Sequence, residues 1–286
     1  MIAIDLGSNT IRFVEYDGVN FLSSFEKIVK TAESIRSSGE ISHSAIERIS
    51  SAITEAKEHI DFNQEIVACA TAAMRMAKNS SFVIDYIYEN HAIEFEIIDA
   101  ARESMLTSLA IKNRLKALSQ DIDGACIVDI GGGSSEFFDL DANSGVSVDF
   151  GIVTISDDMM GELERFREWI VTNIDTSRFK NLLFSAGTPT TVAAYMLGMR
   201  YDNYDGDRVN GVLITVDDCA RVSKELLAMS ESERSCYVGV GREELIIIGI
   251  EMLIVVFKTF NQHSAIVIDD GLREGIAIDY YAKNQI

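Results

Sequence analysis

A single proline in 286 residues leaves no room for a Pro-rich linker and points to a chain that is compact throughout. Cysteine is scarce too. Cys69, Cys126, Cys219 and Cys236 lie far apart and form no CxxC pair, which excludes a disulfide framework and suits buried, reduced thiols better than a zinc site. The four histidines, His43, His59, His91 and His263, are equally scattered, so a histidine-based metal centre is not expected. Positive charge is short: 25 Lys and Arg stand against 45 Asp and Glu, a net charge of -20 that repels nucleic acid and anionic membranes at long range. Neither is expected as a partner. The longest apolar run, Leu245 to Phe257, is too short to span a bilayer, carries Glu251 and reads as a buried helix. The start, Met1-Ile2-Ala3-Ile4-Asp5, shows no secretory signal, and a cytoplasmic location is the expectation.

What the chain does have is 47% hydrophobic and 24% charged residues, enough apolar surface for one large domain or two ordinary ones. Apolar runs bounded by turn residues alternate with segments of helical period, the pattern of an α/β protein with much parallel sheet. Ile2 to Asp5 reads as a buried strand and Ile11 to Tyr16 as its hairpin partner. Ser44-Ala45-Ile46-Glu47 spells a capping box, with Ile46, Ile49, Ile53, Ala56 and Ile60 following at helical spacing. Strands are expected at Ile66 to Ala70 and Ile93 to Ile98, and helices from near Thr71, Ser80 and Ala100. The break Ser119-Gln120-Asp121-Ile122-Asp123-Gly124 then divides the chain into domains 1–120 and 121–270. Beyond it come strands at Val146 to Val153 and Leu182 to Ser185, a helix near Ser156 to Ile174, and several further helices.

The second half opens as the first does. Cys126-Ile127-Val128-Asp129-Ile130-Gly131-Gly132-Gly133-Ser134-Ser135 echoes Ile2-Ala3-Ile4-Asp5-Leu6-Gly7-Ser8-Asn9-Thr10, and each is followed by a second short strand. Such a repeat implies two related domains. An aspartate leaving a buried strand into a glycine turn offers a carboxylate, which a hydrated Mg2+ needs, and unobstructed backbone N–H groups, which phosphate needs. Two such turns would face each other across a cleft, one on each side of a phosphate chain. Ordinary tight hairpins with Asp at the turn give the same spelling, though seldom twice with the same preceding strand. Ser185-Ala186-Gly187-Thr188-Pro189-Thr190-Thr191 is a third candidate, with Thr188 as an N-cap and Pro189 at the first helical position. A plain capped helix start reads identically.

Asp5 to Thr10, Ala70-Thr71-Ala72-Ala73-Met74-Arg75-Met76-Ala77-Lys78-Asn79, Asp129 to Glu136, Gly187 to Thr191 and Asp270-Gly271-Leu272-Arg273-Glu274-Gly275 together resemble, in order and over nearly the whole chain, the exopolyphosphatase/guanosine pentaphosphate phosphohydrolase (Ppx/GppA) phosphatase family in its short, two-domain form. The resemblance implies an α/β fold of two actin-like domains with an interdomain cleft, a C-terminal helix 271–286 packing back on the first domain, and hydrolysis of terminal phosphate from polyphosphate or guanosine pentaphosphate. It also implies Mg2+ or another divalent cation such as Mn2+. By the same resemblance Asp5, Asp129 and Glu136 hold the metal, and Ser8, Asn9, Thr10, Arg75, Gly131, Gly132, Gly133, Ser134, Gly187 and Thr188 hold phosphate. Glu103 is the catalytic carboxylate that orients the attacking water. Without the surrounding motifs, Arg75 would read as a solvent-facing helical arginine and Glu103 as a complement to a helix dipole.

The chain departs from the family pattern at several points. Near Glu103 the preceding acid is Arg102 and the usual arginine is Met105. An early Arg/Lys-x-Gly-x-Gly-like segment reads Lys30-Thr31-Ala32-Glu33-Ser34, and a Val-His-Gly reads Val209-Asn210-Gly211. These changes keep two rivals open, a non-catalytic sensor of alarmone or polyphosphate and an ATP-using kinase of the same fold. Against the net charge, Arg12, Lys30, Arg75, Arg102, Arg242 and Arg273 are the candidates for a local basic lining. The apolar segment Arg242 to Phe260 is read first as core and second as a homodimer interface.

Overall fold

The apolar run after Met1 becomes β1 (Ile2–Leu6), every residue of it buried, in the computed structural model, which describes residues 1–120, 122–155 and 159–284. β2 (Thr10–Tyr16) folds back on it as an antiparallel partner and β3 (Phe21–Ile28) pairs on with alternately more and less exposed residues, as suits an edge strand. After the short α1 (Ile35–Ser38), α2 (His43–Ala56) lays Ala45, Ile46, Ile49, Ala52, Ile53 and Ala56 on the sheet. Full burial of each isoleucine contributes roughly 1.5–3 kcal/mol relative to exposure. The helix is capped by Ser42, whose hydroxyl accepts from the amide of Ala45 at 3.2 Å, two residues before the Ser44 cap expected from the sequence. The Ser44 hydroxyl instead donates to Glu33.

β4 (Ile66–Ala70) adds in parallel to β1, followed by α3 (Ala72–Met76), α4 (Ser80–His91) and β5 (Phe95–Ile97), giving the order β3-β2-β1-β4-β5. The chain then enters α5 (Ala100–Ala117). It divides into one unit of Met1–Ala110 with Gly271–Ile286 and a second of Ile111–Asp270, so the passage between them runs inside this continuous helix and precedes the break at 119–124.

The second unit repeats the arrangement. β6 (Ala125–Ile130), β7 (Ser135–Asp139) and β8 (Ser144–Val148) form an antiparallel set, and α6 (Met159–Asn173) leads to β9 (Asn181–Ser185), parallel to β6. The helix start expected at Ser156 lies outside the described residues. After α7 (Gly187–Met196), α8 (Gly206–Val209), β10 (Leu213–Thr215), α9 (Val216–Ala228), α10 (Glu231–Val238) and α11 (Leu245–Phe260), β11 (Ser264–Val267) completes the order β10-β11-β9-β6-β7-β8. α11 supplies the centre of this core, with Ile250, Leu253, Val256 and Phe257 buried against Phe184 and Phe166. No helix among the described residues is long and apolar enough to cross a membrane.

The last helix, α12 (Leu272–Asn284), belongs to the first unit, where Leu272, Ile276 and Ala277 pack with Met1, Ala3, Val14 and Tyr16. Gly275 makes this possible. A Cβ there would stand 2.5 Å from the carbonyl carbon of Leu106 in α5, which only glycine avoids.

Candidate active site

In the first unit the chain turns from β1 to β2 through Gly7-Ser8-Asn9, closed by the Gly7 amide donating to the Thr10 carbonyl at 3.0 Å. The carbonyls of this turn are taken from behind. Val29 and Lys30 both donate to the Asn9 carbonyl, at 2.8 and 2.9 Å, and Ala32 donates to that of Ser8 at 2.9 Å. A trans peptide is planar with its C=O and following N–H opposed. Carbonyls that point at this strap therefore turn the amides of Asn9 and Thr10 to its other side.

The second unit builds the same turn with glycine throughout. Gly131 donates to the Ser134 carbonyl at 2.9 Å, and the strap is Ile152 and Val153, donating to the carbonyls of Gly131 and Gly132 at 3.0 and 2.8 Å. The amides of Gly132 and Gly133 are thereby turned away from the strap. The strap crosses so closely that a Cβ on Gly151 would lie 2.5 Å from the carbonyl carbon of Gly132 and 2.6 Å from that of Gly133. The sequence pattern predicts a strand from Val146 to Val153, straight through Gly151. A lone glycine in a strand pattern is nevertheless the signal for close backbone approach, and β8 stops at Val148.

Of the expected metal carboxylates, Asp5 and Asp129 stand just before the turns and Glu136 just after the second. Asp129 faces Glu136 directly across the β6–β7 pair and Ser185 across β6–β9, and Glu136 faces Ser147 on β8. Residues in register share a face of the sheet. The Ser185 hydroxyl donates to Asp129 at 2.9 Å and the Ser147 hydroxyl to Glu136 at 2.8 Å. Two neighbouring carboxylates, one of them 8% exposed and each given a neutral donor, are a set that suits a hydrated Mg2+, which takes one or two carboxylates and completes its shell with water and phosphate oxygens. Among the described residues no three Asp, Glu, His or Cys side chains converge on one point, as they would for a metal held by protein alone.

Asp5, in the first unit, sits in a different row. Its in-register neighbours are Arg12 on β2 and Cys69 on β4, and Arg12 is opposite Glu26, with Nε 3.5 Å from the carboxylate. Asp5 is 8% exposed. Burial, with Glu96 and Asp5 adding negative charge, pushes the Cys69 thiol up to about 12.

Arg75 and Glu103 come together, also in the first unit. Arg75, in the short α3, donates from Nη1 to the Glu103 carboxylate at 2.7 Å and to the Ile98 carbonyl at 2.8 Å. Glu103 stands in the first turn of α5, where the Asp99 side chain caps the helix by accepting from the Arg102 amide at 2.7 Å. Arg102 points elsewhere, pairing with Asp279 of α12. Its place in the sequence beside Glu103 thus serves the docking of α12, with Met105 packed nearby in the same cluster.

The third candidate differs from its expected form. α7 begins at Gly187, one residue before Thr188, and its cap is Ala186, held at φ +74° with no capping side chain. Thr188 is 2% exposed because α11 packs on it: a Cβ on Gly249 would come within 2.9 Å of its methyl carbon. Gly187 is covered by the Arg242 guanidinium, in the space a Cβ would need. The Asp270 motif proves to be a fastening. Arg114 Nε reaches both Asp270 oxygens at 2.9 and 3.0 Å, and Asn210 donates to Asp270 at 3.1 Å while accepting from the Asp269 amide at 2.8 Å. An asparagine can replace the usual histidine there because its amide donates and accepts at once. Burial works against the Arg114 charge, but Asp270 and Asp207 outweigh it and raise the guanidinium further.

Two mixed sheets of this order, each opening on strand, glycine turn and strand, place the protein in the actin-like α/β fold class. The sequence profile of the Ppx/GppA phosphatase family matches residues 12–284, and the chain belongs to that family. It is 31% identical over 150 residues to exopolyphosphatase 1 of Mycobacterium tuberculosis, a match covering 50% of this chain and 41% of that protein. It is 23% identical over 306 residues to guanosine-5'-triphosphate,3'-diphosphate pyrophosphatase of Photobacterium profundum, a match covering 98% of this chain and 59% of that one. The chain thus spans less than two thirds of the length of these relatives. The crystal structure of the Aquifex aeolicus family member superposes with a TM-score of 0.75 at 25% identity, covering 100% of this chain and 98% of that one.

Proposed function

We propose that this protein is a divalent-cation-dependent phosphoanhydride hydrolase that releases terminal phosphate from inorganic polyphosphate or guanosine pentaphosphate. The observation that carries the reading is the second unit's turn, where two glycine amides are aimed to one side directly beyond a pair of neighbouring carboxylates. The names of the relatives, an exopolyphosphatase of Mycobacterium tuberculosis and a guanosine-5'-triphosphate,3'-diphosphate pyrophosphatase of Photobacterium profundum, support the two substrate classes. In this reading the amides of Gly132 and Gly133, with those of Asn9 and Thr10, bind phosphoryl oxygens. Asp129 and Glu136 hold Mg2+ or Mn2+, which would neutralise charge on the phosphate oxygens. Glu103 accepts a hydrogen bond from the attacking water and takes its proton, and Arg75 keeps that carboxylate aimed by holding one of its oxygens. Ser185 and Ser147 fix the metal carboxylates in place.

A second reading, binding without turnover, is favoured by the same ion pair, since a carboxylate committed to Arg75 can be purely structural. Phosphate release from polyphosphate, guanosine pentaphosphate and ATP, with and without Mg2+, decides between them when the natural protein is compared with Glu103→Gln. The expected result is metal-dependent release from one of the first two substrates, reduced about 10²- to 10⁴-fold by the substitution. Binding of these compounds with no release from any of them would leave the sensor standing. Turnover of ATP alone, with transfer to an acceptor, would make the protein a kinase.

A further inference from the structure

The strap behind the first unit's turn is itself held at both ends by one pair of side chains. Arg48, on α2, donates from Nε to the Val29 carbonyl at 2.8 Å, and its Nη2 lies 2.6 Å from Glu33 Oε1. The same oxygen accepts from the hydroxyls of Ser42 and Ser44, at 2.8 and 3.1 Å. Between these anchors run Lys30, at φ +50°, and Thr31, fully buried with its hydroxyl unpartnered among the described residues. The strap therefore carries local strain that something must hold. Its composition points the same way, since Lys30-Thr31-Ala32-Glu33-Ser34 stands where the family pattern has two glycines.

We propose that Glu33 and Arg48 form a clasp whose role is to aim the phosphate-binding amides of the first turn, so that both are positioning residues for the substrate. The proposal rests on the phosphate reading of that turn. The connection runs through atoms already described: Arg48 and Glu33 fix Val29 and residue 33, the amides of 29, 30 and 32 fix the carbonyls of Ser8 and Asn9, and those carbonyls set the direction of the Asn9 and Thr10 amides. Direction matters because N–H···O bonds weaken steeply as they bend. The side chains are 36% and 34% exposed as wholes while Arg48 Nη2 itself is buried, so amide exchange and affinity are read beside Tm to separate aiming from folding.

The test uses Glu33→Gln, Arg48→Met, the double variant and the milder Ser44→Ala, with tripolyphosphate as the probe. Amide hydrogen exchange at Val29, Lys30 and Ala32 is expected to quicken about tenfold in each clasp variant and no further in the double, because the two act as one unit. Tripolyphosphate affinity by calorimetry should fall about tenfold in step, while Tm moves little, and Ser44→Ala should give about a threefold loss of affinity in the same direction. Unchanged exchange in both single variants would show that the clasp does not hold the strap. Faster exchange with undiminished affinity would show that the strap aims nothing. If the natural protein binds no tripolyphosphate, the phosphate reading of the turn and the positioning role fall together, and the exchange rates still show whether the clasp exists.

Discussion

The two units carry the same row of positions across their sheets and fill it with opposite chemistry. In the second unit the row reads Ser185, Asp129, Glu136, Ser147, and in the first it reads Cys69, Asp5, Arg12, Glu26. One places two carboxylates side by side between hydroxyls and carries a charge of about -2, which favours an added cation. The other alternates acid, base and acid, so a cation already resides in the row as Arg12. Geometry inherited in common can thus serve two tasks. The metal is expected in the second unit, whereas Asp5 is expected to act through Arg12 and the turn.

Exchanging the residue that distinguishes the rows has the largest expected effect. Glu136→Arg puts a base beside Asp129, as Arg12 stands beside Asp5, and should abolish Mn2+ binding measured by calorimetry and lower phosphate release by about 10³-fold or more. Undiminished Mn2+ affinity would place the metal elsewhere. The reverse change, Arg12→Glu, puts three acids in a row at a partly buried site and should destabilise the first unit by about 2–3 kcal/mol in urea unfolding. Millimolar Mg2+ should recover part of that loss if the row alone decides where a cation binds, and recovery of none would show that the turn chemistry matters more than the row.

The straps separate the units next. Gly151 presses on the backbone of Gly132 and Gly133, which cannot swing away as a side chain can. Gly151→Ala should therefore cost about 2–4 kcal/mol or displace the turn, and should weaken phosphate release beyond its effect on Tm. In the first unit the strap has no such contact and its support is the Glu33 and Arg48 clasp, so the equivalent weakness there is electrostatic. A Gly151→Ala protein of natural stability and activity would remove this contrast.

These features differ in how far the sequence displayed them. Asp5 and Asp129 could be located at the turns because an apolar strand ending in Asp-x-Gly occurs twice, whereas Glu136 and the metal role of all three came through the family resemblance. The straps could not, because Val29 to Ala32 and Ile152 to Val153 meet the turns through backbone atoms and leave no side-chain signature except Gly151. The start of α7 misled for a definite reason. Thr188-Pro189 spells a cap and first position, but Ala186 adopts a positive φ that the alanine does not advertise, and Thr188 is spent on packing against α11. The passage between units leaves no mark in the sequence because α5 continues through it without any turn residue, the visible break coming only after Ala117.

The smallest expected effect concerns the thiols. Cys69 in the first unit and Cys219 in the second are both pushed up to about 12, chiefly by burial and then by acidic neighbours, and Cys126 is raised as well. A thiol whose folded value lies above the usual 9.0 favours the fold fully below pH 9, and that contribution fades as pH rises toward about 12. Unfolding experiments should therefore show stability falling between about pH 9 and 12. In the native protein at pH 8 a thiol reagent should modify Cys236, the exposed cysteine, and leave the other three until denaturant is added. Replacing Cys69 by serine copies the second unit's Ser185, whose hydroxyl donates to its aspartate at 2.9 Å. If the two rows differ only in which groups they present, Cys69→Ser should gain a hydrogen bond to Asp5 and change stability by no more than about 1 kcal/mol. A loss well beyond that would mean the first unit's row is packed for sulfur, and that the two units have diverged in shape as well as in charge.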